Sequence, residues 1–493
     1  MISVKIPPEA AGCKLIKYLS NQGHSVAADC GGKGTCGKCR VKVLSGSFYK
    51  DSEMSGLLEP DSENYVKACK AWCSQEGAEI LIPEVESIDQ GTIFATKSEK
   101  NAKYGIVLDI GTTTLAMASI AIQDETYEIL QTVSRLNPQR SFGADVMSRI
   151  TAASEGQLAA MQDVLLKEVR NMIDVLHVKA DHMVVVGNPT MLHMFCGVSP
   201  EGMGAYPFTP AFTDMKMLSG SNLGLPVAYV TMLPSASAFI GADVIAGGLS
   251  VGLTDSAQPV VLIDIGTNGE MMLFTGTDNG GKLYAASSAA GPAFEGAGIS
   301  TGVGGIKGAV CRVEKIEDSL VSHTIDDADA IGICGSGLID LIAALLARGD
   351  IDETGYLEAS PVVYAGNAGS TLTITEQDVR AFQLAKSAIR AGLEALIYES
   401  GLEINDMSKV YIAGGLGFYM NIDSSVQVGL IPASLKDKVS VVGNSALSGA
   451  MLFMLDEAAM TRKSKKIATE CTTIELNSSE FFTNAFIEYM MFE

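Results

Sequence analysis

The chain has 493 residues, of which 47% are hydrophobic, and its 57 Asp and Glu against 35 Lys and Arg give a formal net charge of −22. This length predicts more than one domain, and the apolar content excludes a disordered chain. The acidity argues against nucleic acid and against an anionic membrane surface as partners, because polyphosphate surfaces attract stripes of Lys and Arg.

The N-terminal twenty residues lack the apolar core of a secretory signal, and no run of apolar residues is long enough to cross a membrane. We therefore expect a cytoplasmic protein without a membrane-spanning helix. In that compartment clustered cysteines more often bind metal or carry out redox chemistry than form structural disulfides.

Six of the ten cysteines lie within the first 73 residues. Cys30, Cys36 and Cys39 follow a C-x5-C-x2-C spacing, and Cys69 comes after 29 intervening residues. The plant-type ferredoxin spacing is C-x4-C-x2-C with a distant fourth cysteine, and four thiolates hold a 2Fe–2S cluster. Glycines between the first three cysteines let the backbone wrap around a small cluster. The spacing therefore predicts a 2Fe–2S cluster held by these four cysteines.

Two alternatives stay open for this cysteine site. A structural zinc ion could use the same residues, although zinc sites more often pair two C-x2-C segments. Cys73 could replace Cys69 as the fourth ligand, but Cys69 stands at the usual ferredoxin distance and is favoured. Cys13 is expected to be a buried thiol outside the cluster.

Alternating apolar residues predict strands at 2–6, 40–44 and 79–82, with a short helix at 13–19 and a turn at Gly46. This order resembles a β-grasp ferredoxin. We assign the ferredoxin-like domain to residues 1–86. The polar, mixed-charge stretch 87–103 is assigned as a linker.

The acidic remainder of the chain contains an internal repeat. Residues 104–118 read YGIVLDIGTTTLAMA, and residues 259–274 read PVVLIDIGTNGEMMLF. Each copy predicts a buried strand, a tight turn after Asp-Ile-Gly-Thr and a second apolar strand. A motif repeated at domain spacing predicts two related lobes that face a common cleft. We place lobe I at 104–257 and lobe II, with a C-terminal return segment, at 258–493.

The chemistry of the repeated turn is typical of a nucleotide site. Asp109 and Asp264 can hold Mg²⁺ through water, since Mg²⁺ prefers few carboxylates together with phosphate oxygens. Glycines permit close approach of the backbone to phosphate, and hydroxyl and amide groups donate to it. The candidate nucleotide-binding residues are Gly111, Thr112, Thr113 and Thr114 in the first turn and Gly266, Thr267, Asn268, Gly269 and Glu270 in the second.

A third element, VYIAGGLG at 410–417, predicts a strand that ends in a glycine turn at Gly414, Gly415 and Gly417. Together the three elements resemble the two phosphate motifs and the adenosine motif of the actin, sugar kinase and Hsp70 ATPase superfamily. That resemblance implies a duplicated α/β fold, ATP with Mg²⁺, and a carboxylate that orients the attacking water. Asp243 is the candidate for this carboxylate. Its alternative interpretation is a helix cap or a surface residue.

Five further segments make the resemblance more specific. They are NPQRSFGADVMSRI (137–150), VGNPTMLHMF (186–195), AAGPAFEGAGI (289–299), ICGSGLIDLI (333–342) and VGNSALSGA (442–450). With the N-terminal cysteine loop, they resemble reductive activators of corrinoid-dependent methyltransferases over nearly the whole chain. The resemblance implies that one electron passes from the 2Fe–2S cluster to a corrinoid protein and converts Co(II) to methyl-accepting Co(I), coupled to ATP. An upstream low-potential reductant and a homodimer are further expectations.

Two other functions stay open from the sequence. The chain could donate electrons, with ATP, to another low-potential enzyme, as activators of radical dehydratases do. It could also be a non-enzymatic redox sensor with an actin- or Hsp70-like body. The AGPAFEG stretch, with Ser287 and Ser288 before it and Glu295 within it, is the candidate contact with the corrinoid partner.

Overall fold

A computed structural model describes residues 2–22, 26, 39–82, 102–123, 126–317, 319–358, 360–365, 371–416 and 419–492. Two of the predicted cluster ligands, Cys30 and Cys36, lie outside these residues. Gly417 and nearly all of the predicted linker also lie outside them.

The N-terminal module is an antiparallel sheet with the helix α1 (Leu15–Asn21) packed on it. Its strand order is β1-β4-β2-β3, and apolar side chains that alternate along the strands join Leu15 and Leu19 of α1 in one core. The strands are β1 (Ile2–Ile6), β2 (Arg40–Tyr49), β3 (Tyr65–Lys67) and β4 (Trp72–Ile82).

Several predicted boundaries in this module are wrong. The strand predicted at 40–44 continues to Tyr49, because Gly46 has a φ of +85° and forms a bulge within β2 instead of a turn. The strand predicted at 79–82 is only the end of β4, and the short strand β3 was not predicted. The helix begins at Leu15, and Cys13 before it is exposed.

Lobe I is a six-stranded sheet with the order β7-β6-β5-β8-β10-β9. Its strands are β5 (Lys103–Ile110), β6 (Thr114–Gln123), β7 (Thr126–Leu136), β8 (His182–Gly187), β9 (Lys216–Ser219) and β10 (Tyr229–Met232). Its helices are α2 (Val146–Ala152), α3 (Leu158–Leu176), α4 (Pro189–Cys196) and α5 (Ala242–Ser250).

Lobe II is built on a second six-stranded sheet, with the order β20-β19-β11-β12-β13-β21. Two small sheets, β15-β14-β16 and β17-β18, accompany it. The strands are β11 (Val260–Ile265), β12 (Gly269–Phe274), β13 (Leu283–Ser288), β14 (Ala309–Ile316), β15 (Ser319–Thr324), β16 (Gly332–Ile333), β17 (Val362–Ala365), β18 (Thr371–Ile374), β19 (Lys409–Ala413), β20 (Val439–Gly443) and β21 (Cys471–Ile474). The helices are α6 (Gly335–Arg348), α7 (Glu376–Glu399), α8 (Ile422–Gln427), α9 (Ser445–Leu455), α10 (Glu457–Glu470) and α11 (Glu480–Glu488).

The two lobes repeat one arrangement of strands. The order β7-β6-β5-β8-β10 in lobe I corresponds to β13-β12-β11-β19-β20 in lobe II. The first two neighbouring pairs in each series are antiparallel and the last two are parallel. The predicted duplicated α/β fold, preceded by a ferredoxin-like sheet, is confirmed. The repeated Asp-Ile-Gly-Thr motifs fall at the same place in the two copies, where β5 and β11 end.

Helices α5 and α9 pack against each other between the two sheets and join the lobes. A Cβ atom added at Gly449 of α9 would lie 1.9 Å from the carbonyl oxygen of Ala246 in α5, and one at Gly247 would lie 2.8 Å from Ser445 Oγ. The absence of side chains at these positions lets the helices cross closely. Among the described residues, no helix is long and apolar enough to span a membrane.

Candidate functional site

The two aspartates of the repeat stand in different surroundings on their hairpins. Asp109 near the end of β5 pairs in register with Ala116 of β6, whereas Asp264 near the end of β11 pairs with Glu270 of β12. Asn268 Nδ2 donates to Glu270 Oε1 at 3.1 Å. Lobe II therefore places two carboxylates on adjacent strands, and lobe I places one.

The carboxylates of the two lobes influence one another electrostatically. Burial, and then the charges of Asp243 and Asp109, raise the pKa of Asp264 to about 8. Burial also raises the pKa of Asp109, to about 6, while a hydrogen bond from Asn444 works in the opposite direction. Burial and the charges of Asp243 and Asp264 hold the pKa of Glu270 well above its usual range. Several carboxylates thus converge where a cation would stabilise their charged forms.

Asp243 is placed beside this group by the start of α5. It lies in the first turn of the helix, whose N-cap is Gly241, so the alternative that Asp243 caps the helix is not supported. Burial, followed by the charge of Asp109, raises its pKa. A Cβ atom at Gly241 would lie 2.7 Å from Asn188 Cα, so glycine is needed for α5 to start this close to β8.

Two asparagines that the sequence analysis left without a role hold the lobe I turn. Asn444 Nδ2 donates to Asp109 Oδ2 at 2.9 Å, and Asn188 Nδ2 donates to Thr112 Oγ1 at 3.0 Å. Each asparagine also caps a helix, α9 and α4 respectively, through its Oδ1. A second internal repeat in the sequence could have identified both asparagines, because Val-Val-Gly-Asn occurs at 185–188 and again at 441–444.

Arg149 of α2 is a third residue whose role was not predicted. It is fully buried, and its guanidinium donates to the carbonyl oxygen of Thr112 at 2.6 Å and to that of Gly143 at 2.9 Å. Burial and the neighbouring Arg140 lower its pKa to about 9. The buried guanidinium therefore fixes the backbone of the lobe I turn and adds positive charge behind it.

The predicted glycines shape the turns in similar ways. The N–H of Gly111 donates to the carbonyl of Thr114 at 3.0 Å, and the N–H of Gly266 donates to that of Asn268 at 2.9 Å. Gly269 opens β12, which leads the chain back from the second turn. Gly414 has a φ of +98°, and a Cβ atom there would lie 2.9 Å from Asp264 Oδ1. The next residue, Gly415, faces open space.

The hydroxyls of the two turns meet at Glu295. Its Oε2 accepts from Thr113 Oγ1 at 2.7 Å and from Thr267 Oγ1 at 2.5 Å, and the two hydroxyl oxygens are 3.4 Å apart. Thr113 belongs to lobe I and Thr267 to lobe II. One carboxylate oxygen therefore connects the turns across the lobes.

The donor set fits a hydrated divalent cation. Within the described ranges, no three His, Cys, Asp or Glu side chains are arranged to hold a metal ion directly. Mg²⁺ usually keeps several waters and binds one or two carboxylates together with phosphate oxygens. Asp109 and Asp264, one from each lobe, are suited to that mode of binding.

In the ferredoxin-like module, two of the predicted ligands lie together. Cys39 Sγ is 3.2 Å from Cys69 Sγ, and both side chains are buried. Cys73 is also buried, and burial followed by the charge of Cys13 raises the pKa of its thiol to about 12. The pairing of Cys39 with Cys69 favours Cys69 over Cys73 as the fourth ligand.

Three family models match most of the chain. The family described as the C-terminal domain of RACo, the ASKHA domain, matches residues 258–493, and the RACo middle region matches residues 104–256. The 2Fe–2S iron-sulfur cluster binding domain matches residues 4–73.

Similar proteins carry related descriptions. The chain is 33% identical to the corrinoid activation enzyme RamQ of Eubacterium limosum over 81% of this chain and 72% of RamQ. It is 28% identical to the Co(II) methylated amine-specific corrinoid protein reductase of Methanosarcina barkeri, over 78% of this chain and 76% of that protein. A solved structure of a reductive activator for a corrinoid, iron-sulfur protein matches with a TM-score of 0.73 at 27% identity, covering 99% of this chain and 96% of that one. The chain belongs to the family of reductive activators of corrinoid proteins.

Proposed function

We propose that the chain reduces the inactive Co(II) form of a corrinoid protein to methyl-accepting Co(I), one electron at a time, with ATP bound at the two hairpins. The observation that carries this proposal is the presence, in one chain of this family, of a 2Fe–2S domain and a pair of facing aspartate turns. Neither the ferredoxin-like module nor the two-lobed body alone would combine electron transfer with nucleotide binding.

The ferredoxin-like module would hold the cluster through Cys30, Cys36, Cys39 and Cys69. A bound 2Fe–2S cluster supplies single electrons at low potential, near roughly −400 mV for the plant type. The buried Cys39 and Cys69 support this assignment, because the protein packs around their sulfurs and keeps water away from them. Residues 1–50 carry eight basic and two acidic side chains, which suits docking on an acidic upstream reductant.

The two-lobed body would bind Mg²⁺ and ATP between the lobes. Asp109 and Asp264 would hold the hydrated cation, and the hydroxyls of Thr113 and Thr267, which donate to Glu295 in this structure, would donate to a phosphate group. Asp243 holds a proton-accepting oxygen beside Asp109 and is suited to orient the attacking water. Gly414 and Gly415 leave room for the nucleotide close to Asp264.

A physical reason for using ATP follows from the potentials. The Co(II)/Co(I) couple of a corrinoid is expected to lie below that of the cluster, and each 59 mV of gap costs about tenfold in a one-electron equilibrium constant. A nucleotide-dependent state of the two lobes that binds the product form of the partner more tightly would offset this cost. In this proposal the corrinoid cobalt is the substrate, and the nucleotide-dependent state of the lobes controls its reduction.

The test is the absorption spectrum of a Co(II) corrinoid protein mixed with this chain and a reductant. We expect the Co(I) spectrum to develop with Mg-ATP and not without it. Cys39→Ser should lose cobalt reduction and retain nucleotide binding, whereas Cys471→Ser, a cysteine of β21, should retain both. Zinc in place of iron and sulfide in the purified protein, or unchanged Co(II) with every corrinoid partner, would contradict the proposal.

A homodimer and a cytoplasmic location stay predictions from the sequence. Sedimentation velocity of the purified chain tests the first, and fractionation of the source cells tests the second. Neither result changes the proposed chemistry.

A further inference from the structure

Glu295 bonds to one turn of each lobe within the site. It is the last residue of the 3-10 turn Pro292–Glu295 in lobe II, and its Oε2 accepts hydrogen bonds from Thr113 and Thr267 at 2.7 and 2.5 Å. Both donors belong to turns with the residue types that bind phosphate. A protein carboxylate is therefore already bound to the hydroxyls that a nucleotide would need.

The surroundings of Glu295 favour an anion. Its charge stabilises the protonated forms of both Arg140 and Arg149, against the effect of burial. Two hydroxyl donors with guanidinium groups nearby form a donor set that also suits a phosphate oxygen. At the same time Glu295 adds a negative charge beside Asp264 and contributes to its raised pKa.

The segment around Glu295 contains residues that are fixed by packing or hydrogen bonds, with two glycines of positive φ between them. Phe294 is buried and stacks edge-on against Phe382, and the N–H and Oγ of Ser300 bond to Asp378 Oδ1 at 2.7 and 3.1 Å. Between these anchors Gly296 and Gly298 have φ values of +77° and +80°. A displacement of the Glu295 side chain would therefore act on residues 296–298, because Phe294 before them and Ile299 after them are buried in the core.

We propose that Glu295 is a built-in anion that holds the two turns together in the nucleotide-free protein, and that a phosphate group of the nucleotide displaces it. The inference rests on the proposed function, since it requires a nucleotide at these turns. One hydroxyl proton cannot serve two anions, so Glu295 and the phosphate compete for Thr113 and Thr267. Residues 295–298 consequently take one position without nucleotide and another with it.

The first test compares nucleotide affinity. Glu295→Gln keeps the shape and removes the charge, so it should bind a nonhydrolysable ATP analogue with Mg²⁺ about tenfold more tightly, because a neutral competitor is weaker than a charged one. Glu399→Gln, at the exposed C-terminal end of α7, is the matched control and should bind as the unmodified protein does. Unchanged or weaker binding by Glu295→Gln would overturn the inference.

The second test uses only the unmodified protein, so it does not depend on how a variant folds. Hydrogen–deuterium exchange of peptides covering 289–299 should change several-fold when Mg²⁺ and the analogue bind, while α6 exchanges as before. Equal exchange in the free and bound forms, with binding shown by calorimetry, would overturn the inference and leave the nucleotide site standing. Absence of binding in the calorimeter would instead overturn the nucleotide site itself, and the inference with it.

Discussion

The two Asp-Ile-Gly-Thr hairpins share a backbone and differ in what faces the aspartate. In lobe I, Asp109 is opposite Ala116 and accepts a hydrogen bond from Asn444 of lobe II. In lobe II, Asp264 is opposite Glu270 and near Asp243. Burial, and then the charges of Asp243 and Asp109, raise the pKa of Asp264 to about 8, whereas burial offset by the Asn444 hydrogen bond raises that of Asp109 to about 6. Duplication preserved the turn, and the neighbours then made one aspartate easier to ionise than the other.

This difference indicates that the two aspartates respond differently to a bound cation. The lobe I aspartate accepts a hydrogen bond from an amide, which lowers its pKa against the effect of burial. The pKa of the lobe II aspartate is raised further, so a bound cation would stabilise its charged form more. Cation binding should therefore change the ionisation of Asp264 more than that of Asp109. Substitutions in the two copies test this inequality.

The largest effect is expected from Asp264→Asn. Removing this carboxylate should weaken binding of Mg-nucleotide by about 100-fold, or roughly 2.7 kcal/mol. Isothermal titration calorimetry with Mg²⁺ and an ATP analogue measures this. Asp163→Asn, an exposed position on α3, is the control and should bind normally. Equal losses in Asp109→Asn and Asp264→Asn would contradict the inequality of the two copies.

Gly414→Ala should lower stability in the absence of any ligand. Its φ of +98° disfavours alanine, and the new Cβ would lie 2.4 Å from the carbonyl oxygen of Ile265 and 2.9 Å from Asp264 Oδ1. The cost should be on the order of 2 kcal/mol. Gly415→Ala, whose Cβ faces open space, is the matched control for thermal unfolding without nucleotide. Similar melting temperatures for the two variants would show that Gly414 is not strained.

Asn444→Asp should make lobe I resemble lobe II. Aspartate keeps the cap of α9, which uses the side-chain oxygen, but it replaces the donor to Asp109 with a second carboxylate. Affinity for Mg-nucleotide at pH 7 should fall by about tenfold. Asn421→Asp makes the same substitution at the cap of α8 and should have little effect. Equal weakening of binding by both substitutions would contradict the role of the Asn444 amide beside Asp109.

The smallest effect concerns pH and stability. The pKa of Asp264 is raised in the folded protein to about 8, above its unfolded value of about 3.9. Its protonation therefore stabilises the nucleotide-free fold fully below pH 4, and this contribution is lost as pH rises through 8. Between pH 6 and pH 9 the melting temperature should fall by a few degrees more in the unmodified protein than in Asp264→Asn. Parallel curves for the two proteins would contradict the raised pKa.

Much of the fold could be predicted because it depends on local patterns. Asp109 and Asp264 recur in the same strand–turn–strand context, and this repeat led directly to two lobes of equal topology. The bulge at Gly46 was mistaken for a turn because a positive φ serves both structures, and only the pairing with β4 distinguishes them. The exposure of Cys13 likewise depends on tertiary packing that residue type does not determine.

Sequence motifs indicated the turns of the candidate site, but they did not indicate the residues that support those turns. Thr113, Thr267 and both aspartates came from motifs, whereas Asn444 and Arg149 act from segments distant in sequence. Asn444 reaches Asp109 across 335 positions, a contact that no spacing rule indicates. Glu295 belongs to the predicted contact with the corrinoid partner, and its bonds to both turns depend on how the two lobes pack together.

The most direct test of the account is a single-turnover experiment followed by EPR. The chain is reduced at its cluster, freed of excess reductant and mixed with a Co(II) corrinoid protein, with and without Mg-ATP. We expect the reduced-cluster and Co(II) signals to disappear together, in equal amounts, only when Mg-ATP is present. Equal loss of both signals without nucleotide would show that the two-lobed body does not control electron transfer, and would contradict the central claim.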